Sequence, residues 1–392
     1  MGVLSLGERY EAQRLIGEGG MGAVYEARDR LTGDMIALKR VHVPTDHIEH
    51  SQRGSHDSRV SLAQEFKFLA SLRHPHIISV LDYGFDDGKQ PFYTMELLQD
   101  AQTIVQYGED LPLNRQIDLL IQVLQALDYL HHRDILHRDL KPDNIMIVDD
   151  KVKVLDFGLA IAGEFIDSTD EFIVGTLAYM PPETLMNQAA STASDLYTFG
   201  LIAYEILYGA PAFKLRDDDI ALLVHDIMNN PPDINRLALP DAIQLIIGRT
   251  LEKNPADRYQ NASDIIRALT EFADYTAHVD TFDIRNSYLQ AAHFVGREDE
   301  VTQLQDSMQQ IFSDTPRGTS WLIGGVSGSG KSRMVDELRV QGLVNGAVVM
   351  RGQAIAEGGA AYQLWREIVR WLVILTPDIS DEQLGIAKEI VP

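Results

Sequence analysis

The chain has 392 residues, a formal net charge of -24 at pH 7 and no cysteine. This length indicates two domains, and the charge disfavours a nucleic-acid partner because phosphate backbones attract basic surfaces. The lack of cysteine excludes disulfides, cysteine-ligated zinc and a thiol nucleophile. The amino terminus lacks a signal-peptide pattern, and the apolar run over residues 196–213 contains Glu205, which favours a buried helix over a membrane span. We therefore expect a cytoplasmic chain without a membrane segment.

The first hundred residues are predicted to be mainly strands and turns. Runs typical of strands occupy Tyr10–Ile16, Ala23–Arg28 and Asp34–Arg40. The polar stretch over residues 43–60 is predicted as a loop, and Ser61–Leu72 has the spacing of a helix. Four histidines in or beside the loop are either solvated or a metal site; they are His42, His47, His50 and His56.

After Asp100 the apolar spacing changes to that of helices. One apolar stripe runs along Arg115–His132. Further helices are predicted at Ser194–Tyr208, Asp217–Met228, Asp241–Leu251 and Ser263–Ala273, and paired strands at Ile145–Val148 and Lys151–Leu155. A mostly β lobe therefore precedes a mostly α lobe, and a cleft is expected near residues 96–101.

Two features of the β lobe are typical of nucleotide binding. A GxGxxG pattern lies between two predicted strands, and glycines let a backbone approach phosphates without a Cβ clash. Its glycines are Gly17, Gly19 and Gly22. A glycine-rich hairpin without a ligand is the alternative. Lys39 follows three apolar residues, and a buried ammonium needs a partner, for which Glu65 is the best candidate; a surface lysine at a strand end is the alternative.

Residues 137–144 place a carboxylate, an ammonium and a carboxamide on one short loop. Transfer of a phosphoryl group to a hydroxyl needs an acceptor for the hydroxyl proton, a cation for the moving charge and an oxygen ligand for magnesium. Asp139, Lys141 and Asn144 supply these groups in that order. Asp156, which begins Asp-Phe-Gly after the two paired strands, is predicted to bridge magnesium to the phosphates.

With these motifs, residues 8–275 resemble a complete eukaryotic-type (Hanks-type) bacterial serine/threonine protein kinase domain. The Lys-Pro-Asp-Asn sequence after Asp139, and Gly175-Thr176 before Tyr179, resemble the serine/threonine branch. The resemblance implies an α+β bilobal fold, with a β-rich N-lobe over residues 1–97 and a helical C-lobe over residues 98–275. It also implies ATP with Mg²⁺ (or Mn²⁺) as cofactors, and protein serine and threonine hydroxyls as substrates.

The resemblance assigns roles to further residues. Lys39 would hold the α- and β-phosphates and pair with Glu65 in the active state. Other ATP contacts are implied at Ile16, Val24, Ala37, the gatekeeper Met95, Glu96, Leu98 and Met146. Asp195 would anchor the catalytic-loop backbone, and Glu183 of a Pro-Pro-Glu sequence, which departs from the family's Ala-Pro-Glu, would pair with Arg258.

Regulation by loop phosphorylation is a hypothesis at this stage. Arg138 is, in the family, a receptor for a phosphate on the activation loop. The loop over residues 160–174 offers Ser168 and Thr169 for autophosphorylation, which would accompany self-association. Acidic residues surround both hydroxyls. The alternative is therefore that one of these acids, in place of a phosphate, pairs directly with Arg138.

A second nucleotide motif follows the polar linker 276–292. Thr319–Ile323 is predicted as a buried strand, and the sequence from Gly325 to Ser332 matches GxxxxGK[ST] before a helix. Amides near Gly330 would cradle phosphates, Lys331 would reach the β- and γ-phosphates, and Ser332 would bind magnesium. Residues 293–392 resemble the start of an AAA-like ATPase domain of the signal-transduction (STAND) type, without a recognisable Walker B acid.

Three hypotheses remain open on the sequence. The first is an active serine/threonine kinase with an appended nucleotide-binding module. The second is a pseudokinase scaffold whose nucleotide sites only bind and switch. The third makes the P-loop module a nucleotide-switched oligomeriser with the kinase as its output.

Overall fold

The computed structural model describes most of the chain. The described residues are 5–6, 9–19, 22–41, 72–86, 90–156, 177–216, 219–236, 239–273, 284, 298–312, 315, 317–326, 329–344, 347, 349–352, 354, 362–376 and 379–391. The chain divides into two compact units. The sheet unit comprises residues 1–71, 80–97 and 293–392, and the helical unit comprises residues 72–79 and 98–292.

A six-stranded antiparallel sheet forms the first part of the sheet unit, in the order β1-β2-β3-β4-β6-β5. Its strands are β1 (Ser5–Leu6), β2 (Tyr10–Gly19), β3 (Gly22–Asp29), β4 (Met35–Val41), β5 (Val80–Phe85) and β6 (Pro91–Glu96). The three strands predicted from the sequence are confirmed, with ends shifted by up to three residues. Proline opens β6, where the missing amide hydrogen is tolerated.

Side chains from four strands form the core of this sheet. Tyr10, Ala27, Ile36, Leu38 and Phe92 form one buried cluster, in which the rings of Tyr10 and Phe92 meet edge to face at 5.7 Å. The tight hairpin between β2 and β3 needs glycine at position 22. Its φ is +135°, and an added Cβ would lie 2.0 Å from the carbonyl oxygen of Arg40.

The helical unit is built around two long buried helices. Its helices are α1 (Ile104–Gly108), α2 (Leu113–His131), α3 (Pro182–Leu185), α4 (Thr192–Tyr208), α5 (Ile220–Asn229), α6 (Asp241–Thr250) and α7 (Ala262–Ala273). A capping box at Ser191 begins α4, and Gly209 ends it with a φ of +77°. The long helices predicted from apolar spacing are confirmed, because α2 and α4 bury residues along most of their length.

Three short strands complete the helical unit, in the order β7-β8-β9. They are β7 (Gln102–Thr103), β8 (Ile145–Val148) and β9 (Lys151–Val154). The predicted pairing of β8 with β9 is confirmed, and it places residues 141–144 and 155–156 at the same end of the hairpin. Among the described residues, none of the helices has the length and apolar character needed to cross a membrane.

The carboxyl-terminal part of the sheet unit consists of α8 (Glu298–Gln309), α9 (Lys331–Val344), α10 (Gln363–Leu375) and α11 (Asp381–Ile390). The predicted buried strand Thr319–Ile323 is wrong: residues 317–326 contain no strand, and Trp321 is 52% and Leu322 98% exposed. An apolar run becomes a buried strand only where other strands pair with it, and none does so in the described part of this segment. Residues 347 and 349–351 likewise form no strand. The helix α11 was not predicted.

Candidate active site

The loop over residues 137–144 is held by a buried carboxylate at the start of α4. Asp195 is 3% exposed, and it accepts the backbone amides of His137 at 2.8 Å and Arg138 at 3.0 Å. Arg138 has a φ of +63°, a left-handed conformation that is uncommon outside glycine. Two charge-assisted hydrogen bonds therefore fix a strained backbone one residue before Asp139.

A third contact to the same carboxylate comes from α2. The Nε2 atom of His131 lies 2.9 Å from Oδ2 of Asp195, and because a carboxylate only accepts, Nε2 carries the hydrogen. His137 is completely buried, and this burial lowers the pKa of its imidazole despite the nearby Asp195. Its Nε2 lies 3.0 Å from the carbonyl oxygen of Leu155. The loop is thus tied to α2, α4 and the end of β9.

Three predicted catalytic side chains lie together on this loop. Asn144 donates its amide Nδ2 hydrogens to the backbone oxygen of Asp139 at 2.7 Å and to its Oδ2 at 3.0 Å. The Nζ atom of Lys141 lies 3.3 Å from Oδ2 of Asp139. Because the amide nitrogen of Asn144 faces Asp139, its amide oxygen faces the opposite side. The Asp139 carboxylate is therefore oriented by both neighbours.

Asp156 is positioned by the strand that precedes it. The amide of Leu155 donates to the carbonyl oxygen of Asn144 at 2.8 Å, which links the two predicted metal-binding segments. Asp156 itself has a φ of +46°, a second strained backbone in the same place. Asn144 and Asp156 thus offer two oxygen ligands from adjoining backbone segments, the ligand type that Mg²⁺ prefers. Phe157 and Gly158 lie outside the described residues.

The predicted phosphate-binding lysine lies in the middle of the sheet unit. Lys39 is 7% exposed on β4, opposite Val24 of β3 on one side and Tyr93 of β6 on the other. Ala37 pairs with the predicted gatekeeper Met95, so these two residues are neighbours on adjacent strands. Gly17 and Gly19 lie on β2 opposite Val24 and Gly22. The remaining predicted ATP contacts are the exposed Ile16 and the half-buried Glu96, Leu98 and Met146.

Several sequence predictions concern residues outside the described part of the chain. These are Glu65 with most of its helix, the hydroxyls of Ser168 and Thr169, Gly175-Thr176, and the histidines His42, His47, His50 and His56. They stay predictions.

The phosphate loop of the second motif begins at Gly325 and leads into α9. The Nζ atom of Lys331 donates to the carbonyl oxygens of Gly325 and Val326, both at 2.7 Å. Gly330 has a φ of +84°, and Ser332 is exposed in the first turn of α9. The hydroxyl oxygen of Ser329 is buried and has no hydrogen-bond partner among the described residues. These groups surround a helix amino terminus, where backbone amides attract anions.

Comparison with known families agrees with both motifs. Residues 10–269 match the protein kinase domain, and residues 293–386 match the AAA ATPase domain. The chain belongs to the protein kinase family. The predicted fold class of this kinase is confirmed, with a β-sheet N-lobe and a helical C-lobe. The family uses ATP and a divalent metal and acts on protein substrates.

Three bacterial relatives illustrate the similarity. The kinase is 35% identical over 275 residues to serine/threonine-protein kinase pkn3 of Myxococcus xanthus, covering 65% of this chain and 48% of that protein. It is 33% identical to PknH of Mycobacterium tuberculosis, covering 67% of this chain and 41% of PknH. It is also 33% identical to PknA of the same species, covering 68% of this chain and 62% of PknA. The chain thus spans less than half the length of the first two relatives.

The ion pair predicted between Glu183 and Arg258 is confirmed in the C-lobe. The guanidinium binds the carboxylate through two parallel hydrogen bonds of 2.7 and 2.8 Å, and Ser194 donates a third at 2.7 Å. Both charged groups are at most 3% exposed. Burial alone would raise the pKa of Glu183, but the bonds from Arg258 and Ser194 hold it below its usual value.

Two partners of the kinase's buried acids were not predicted. Tyr179 donates a hydrogen bond from its hydroxyl to Glu205, and burial raises the pKa of both groups. His131 contacts Asp195, as described above. The only sign of such a contact in the sequence was Glu205, the single acid within the apolar run of α4. An acid shielded from water requires a hydrogen-bond donor. The spacing along the chain does not identify that donor.

Proposed function

We propose that this chain is an active serine/threonine protein kinase that transfers the γ-phosphoryl group of ATP to serine and threonine hydroxyls of proteins. The observation that carries the proposal is the cluster of Asp139, Lys141 and Asn144, held by Asp195 through the backbone. The three relatives are all named as serine/threonine-protein kinases, which supports the same activity.

In this proposal each side chain of the loop has a defined task. Asp139 orients the substrate hydroxyl and accepts its proton as the oxygen bonds to the γ-phosphorus and the bond to the β-phosphate oxygen breaks. Lys141 lies beside Asp139 and offsets the negative charge on the transferred group. Lys39 binds the α- and β-phosphates, with Glu65 as its partner.

The oxygen donors of the site support magnesium as the metal. Asn144 and Asp156 would hold Mg²⁺, which neutralises phosphate charge when bound. The hydrogen bonds of the Asn144 amide nitrogen leave its oxygen as the donor atom for that role. The need for ATP supports a cytoplasmic location of the kinase domain.

Initial-rate assays with radiolabelled ATP and a basic protein substrate test the activity. We expect Asp139→Asn to lower the rate by roughly 10²–10⁴-fold, the usual contribution of a general base. Asp134→Asn is the matched control, because Asp134 is exposed on the same segment and asparagine tolerates its φ of +58°. Nucleotide binding without any labelling would instead favour the pseudokinase alternative.

We further propose that the P-loop binds a nucleoside triphosphate with Mg²⁺ through Gly325, Gly330, Lys331 and Ser332. The buried Ser329 hydroxyl and the Lys331 ammonium, which lies against the loop carbonyls, support this assignment. Calorimetric titration of the Asp139→Asn chain with a non-hydrolysable ATP analogue is expected to show two sites. Lys331→Ala is expected to remove one of them, and an unchanged stoichiometry would exclude the P-loop as a site.

Autophosphorylation at Ser168 or Thr169, with self-association, is also proposed. The guanidinium of Arg138, directly before Asp139 in the chain, supports a phosphate receptor near the active site. Mass spectrometry of active protein tests this. A fully active preparation without phosphate on this loop would contradict it.

A further inference from the structure

The carboxyl-terminal segment contacts the kinase sheet at three places within the sheet unit. The guanidinium of Arg339 on α9 lies 3.6 Å from Asp82 on β5. The guanidinium of Arg9 lies 5.3 Å from the ring of Trp371 on α10. The side chain of Arg370 donates to the carbonyl oxygen of Leu31 at 3.4 Å. A charge pair, a cation–π contact and a hydrogen bond thus join the two modules.

Arg9 is the centre of this contact. It binds Asp29 through two hydrogen bonds of 2.9 and 2.6 Å and Asp82 through one of 2.6 Å. Its guanidinium also stacks against Tyr10 at 4.8 Å, next to the core cluster of the sheet. Asp82 is 9% exposed and meets cations from both modules, so a change at Arg339 alters the charge balance around a residue buried in the kinase N-lobe.

The contact is incompletely packed. A cavity of about 350 Å³ lies between the turn at residues 30–33 and the helices α10 and α11, with Leu31, Val373 and Leu384 among its walls. This space is open to solvent, so the side chains that line it lack partners across the contact there, which weakens the association of the surfaces. A reversible contact is therefore favoured over a permanent one.

One helix connects this contact to the phosphate loop. The helix α9 begins at Lys331 and reaches Arg339 eight residues later, about 12 Å along its axis. In the conformation described, the Lys331 ammonium is satisfied by two loop carbonyls. Phosphates bound to the loop would compete with both carbonyls for the Lys331 ammonium, so phosphate binding would disturb this arrangement of the loop.

We propose that the P-loop segment docks on the kinase N-lobe through Arg339, Arg370 and Trp371, and that nucleotide binding at the P-loop releases this contact and changes the kinase rate. The inference rests on the proposed nucleotide binding at the P-loop. A ligand shifts the equilibrium between the docked and the released P-loop segment only if it binds one of these states more tightly. Here the two states would differ in the hydrogen bonds of Lys331.

Docking is measurable by crosslinking because the chain contains no cysteine. Thr32→Cys and Lys388→Cys place two thiols on opposite walls of the cavity, both at exposed positions. In the Asp139→Asn variant of the 392-residue chain we expect a short bismaleimide to join them within one chain, and each single-cysteine variant gives the background. Trp371→Ala with Arg339→Glu is expected to abolish the crosslink. Persistence of the crosslink in this variant, or its absence from the parent protein, would overturn the docking.

Coupling is tested by adding a non-hydrolysable ATP analogue with Mg²⁺ to the same crosslinking reaction. The yield is expected to fall about fivefold or more, the lower end of typical allosteric coupling, and to stay unchanged in Lys331→Ala. Titration that detects P-loop binding while the crosslink stays constant would refute the coupling and leave the proposed binding intact. Titration that detects no second site refutes the binding itself.

The effect on activity is measured in the 392-residue chain with Asp139 intact. Arg339→Glu is expected to change the initial phosphorylation rate about fivefold relative to the parent protein. Arg317→Glu, a charge reversal at an exposed position of the same segment, is expected to leave the rate unchanged. Equal rates for all three proteins would contradict control of the kinase by this contact.

Discussion

Replacing Asp195 by asparagine should disturb the loop over residues 137–144 without changing any residue predicted to contact ATP or magnesium. The carboxylate accepts the amides of His137 and Arg138 and contacts His131. Asparagine keeps one acceptor oxygen. Its NH₂ group would replace the second oxygen and face a hydrogen-bond donor, so that hydrogen bond would be lost. Each hydrogen bond to a charged group contributes about 1.5–3 kcal/mol. We therefore expect a loss of about 3 kcal/mol in the free energy of unfolding.

The same substitution should reduce catalysis. Arg138 keeps its left-handed backbone against a strain of about 1–3 kcal/mol, and without the carboxylate this strain favours a relaxed loop. A displacement of Asp139 by roughly 1 Å would lower the rate about 10²-fold. Urea unfolding and initial-rate phosphorylation measure the two effects.

Asp118→Asn is the matched control for this experiment. Asp118 on α2 is 9% exposed, but its carboxylate lies 3.8 Å from Arg115, beyond hydrogen-bond distance. Its replacement should cost less than about 1 kcal/mol and leave the rate nearly unchanged. If Asp195→Asn matched this control in both measurements, the reasoning about the loop would be refuted.

Glu183→Gln leaves the buried Arg258 charge without its counter-charge, so urea unfolding should show a loss of about 3–5 kcal/mol; a loss below about 1 kcal/mol would contradict this. Burial lowers the pKa of His74 to about 3 and of His76 to about 4. The unfolded chain therefore binds more protons as pH falls below about 6.5, and stability decreases by about 2 kcal/mol per histidine between pH 6.5 and 5. Unfolding free energies of His74→Phe should decline less over this range, whereas the exposed control His132→Gln should follow the parent chain.

Local patterns in the sequence predicted those helices and strands that can be recognised from a short stretch of residues alone. The apolar stripe along α2 and the strand-like runs of β3 and β4 predicted these elements, and the structure forms them close to the expected residues. The strand predicted at Thr319–Ile323 has equally apolar residues, but its formation depends on partner strands that its own sequence does not encode. Periodicity therefore predicts a self-contained helix better than a central strand.

The candidate active site likewise contains some contacts that the local sequence predicts and others that it does not. The loop over residues 137–144 brings Asp139, Lys141 and Asn144 together. Because these residues are close in sequence, their clustering could be predicted. Glu183 and Arg258 are 75 residues apart, and their pairing was available only through resemblance to a family. The contacts of Tyr179 with Glu205 and of Arg339 with Asp82 follow from tertiary packing, which neither local spacing nor the motifs specify.

The proposed activity is phosphoryl transfer from ATP to protein hydroxyls. The decisive measurement is mass spectrometry of a protein substrate after incubation with the purified chain, ATP and Mg²⁺. We predict phosphoserine or phosphothreonine with the parent protein and with Asp134→Asn, and almost none with Asp139→Asn. Absence of phosphate from the substrate and from the chain itself would contradict the claim, as would equal labelling by Asp139→Asn.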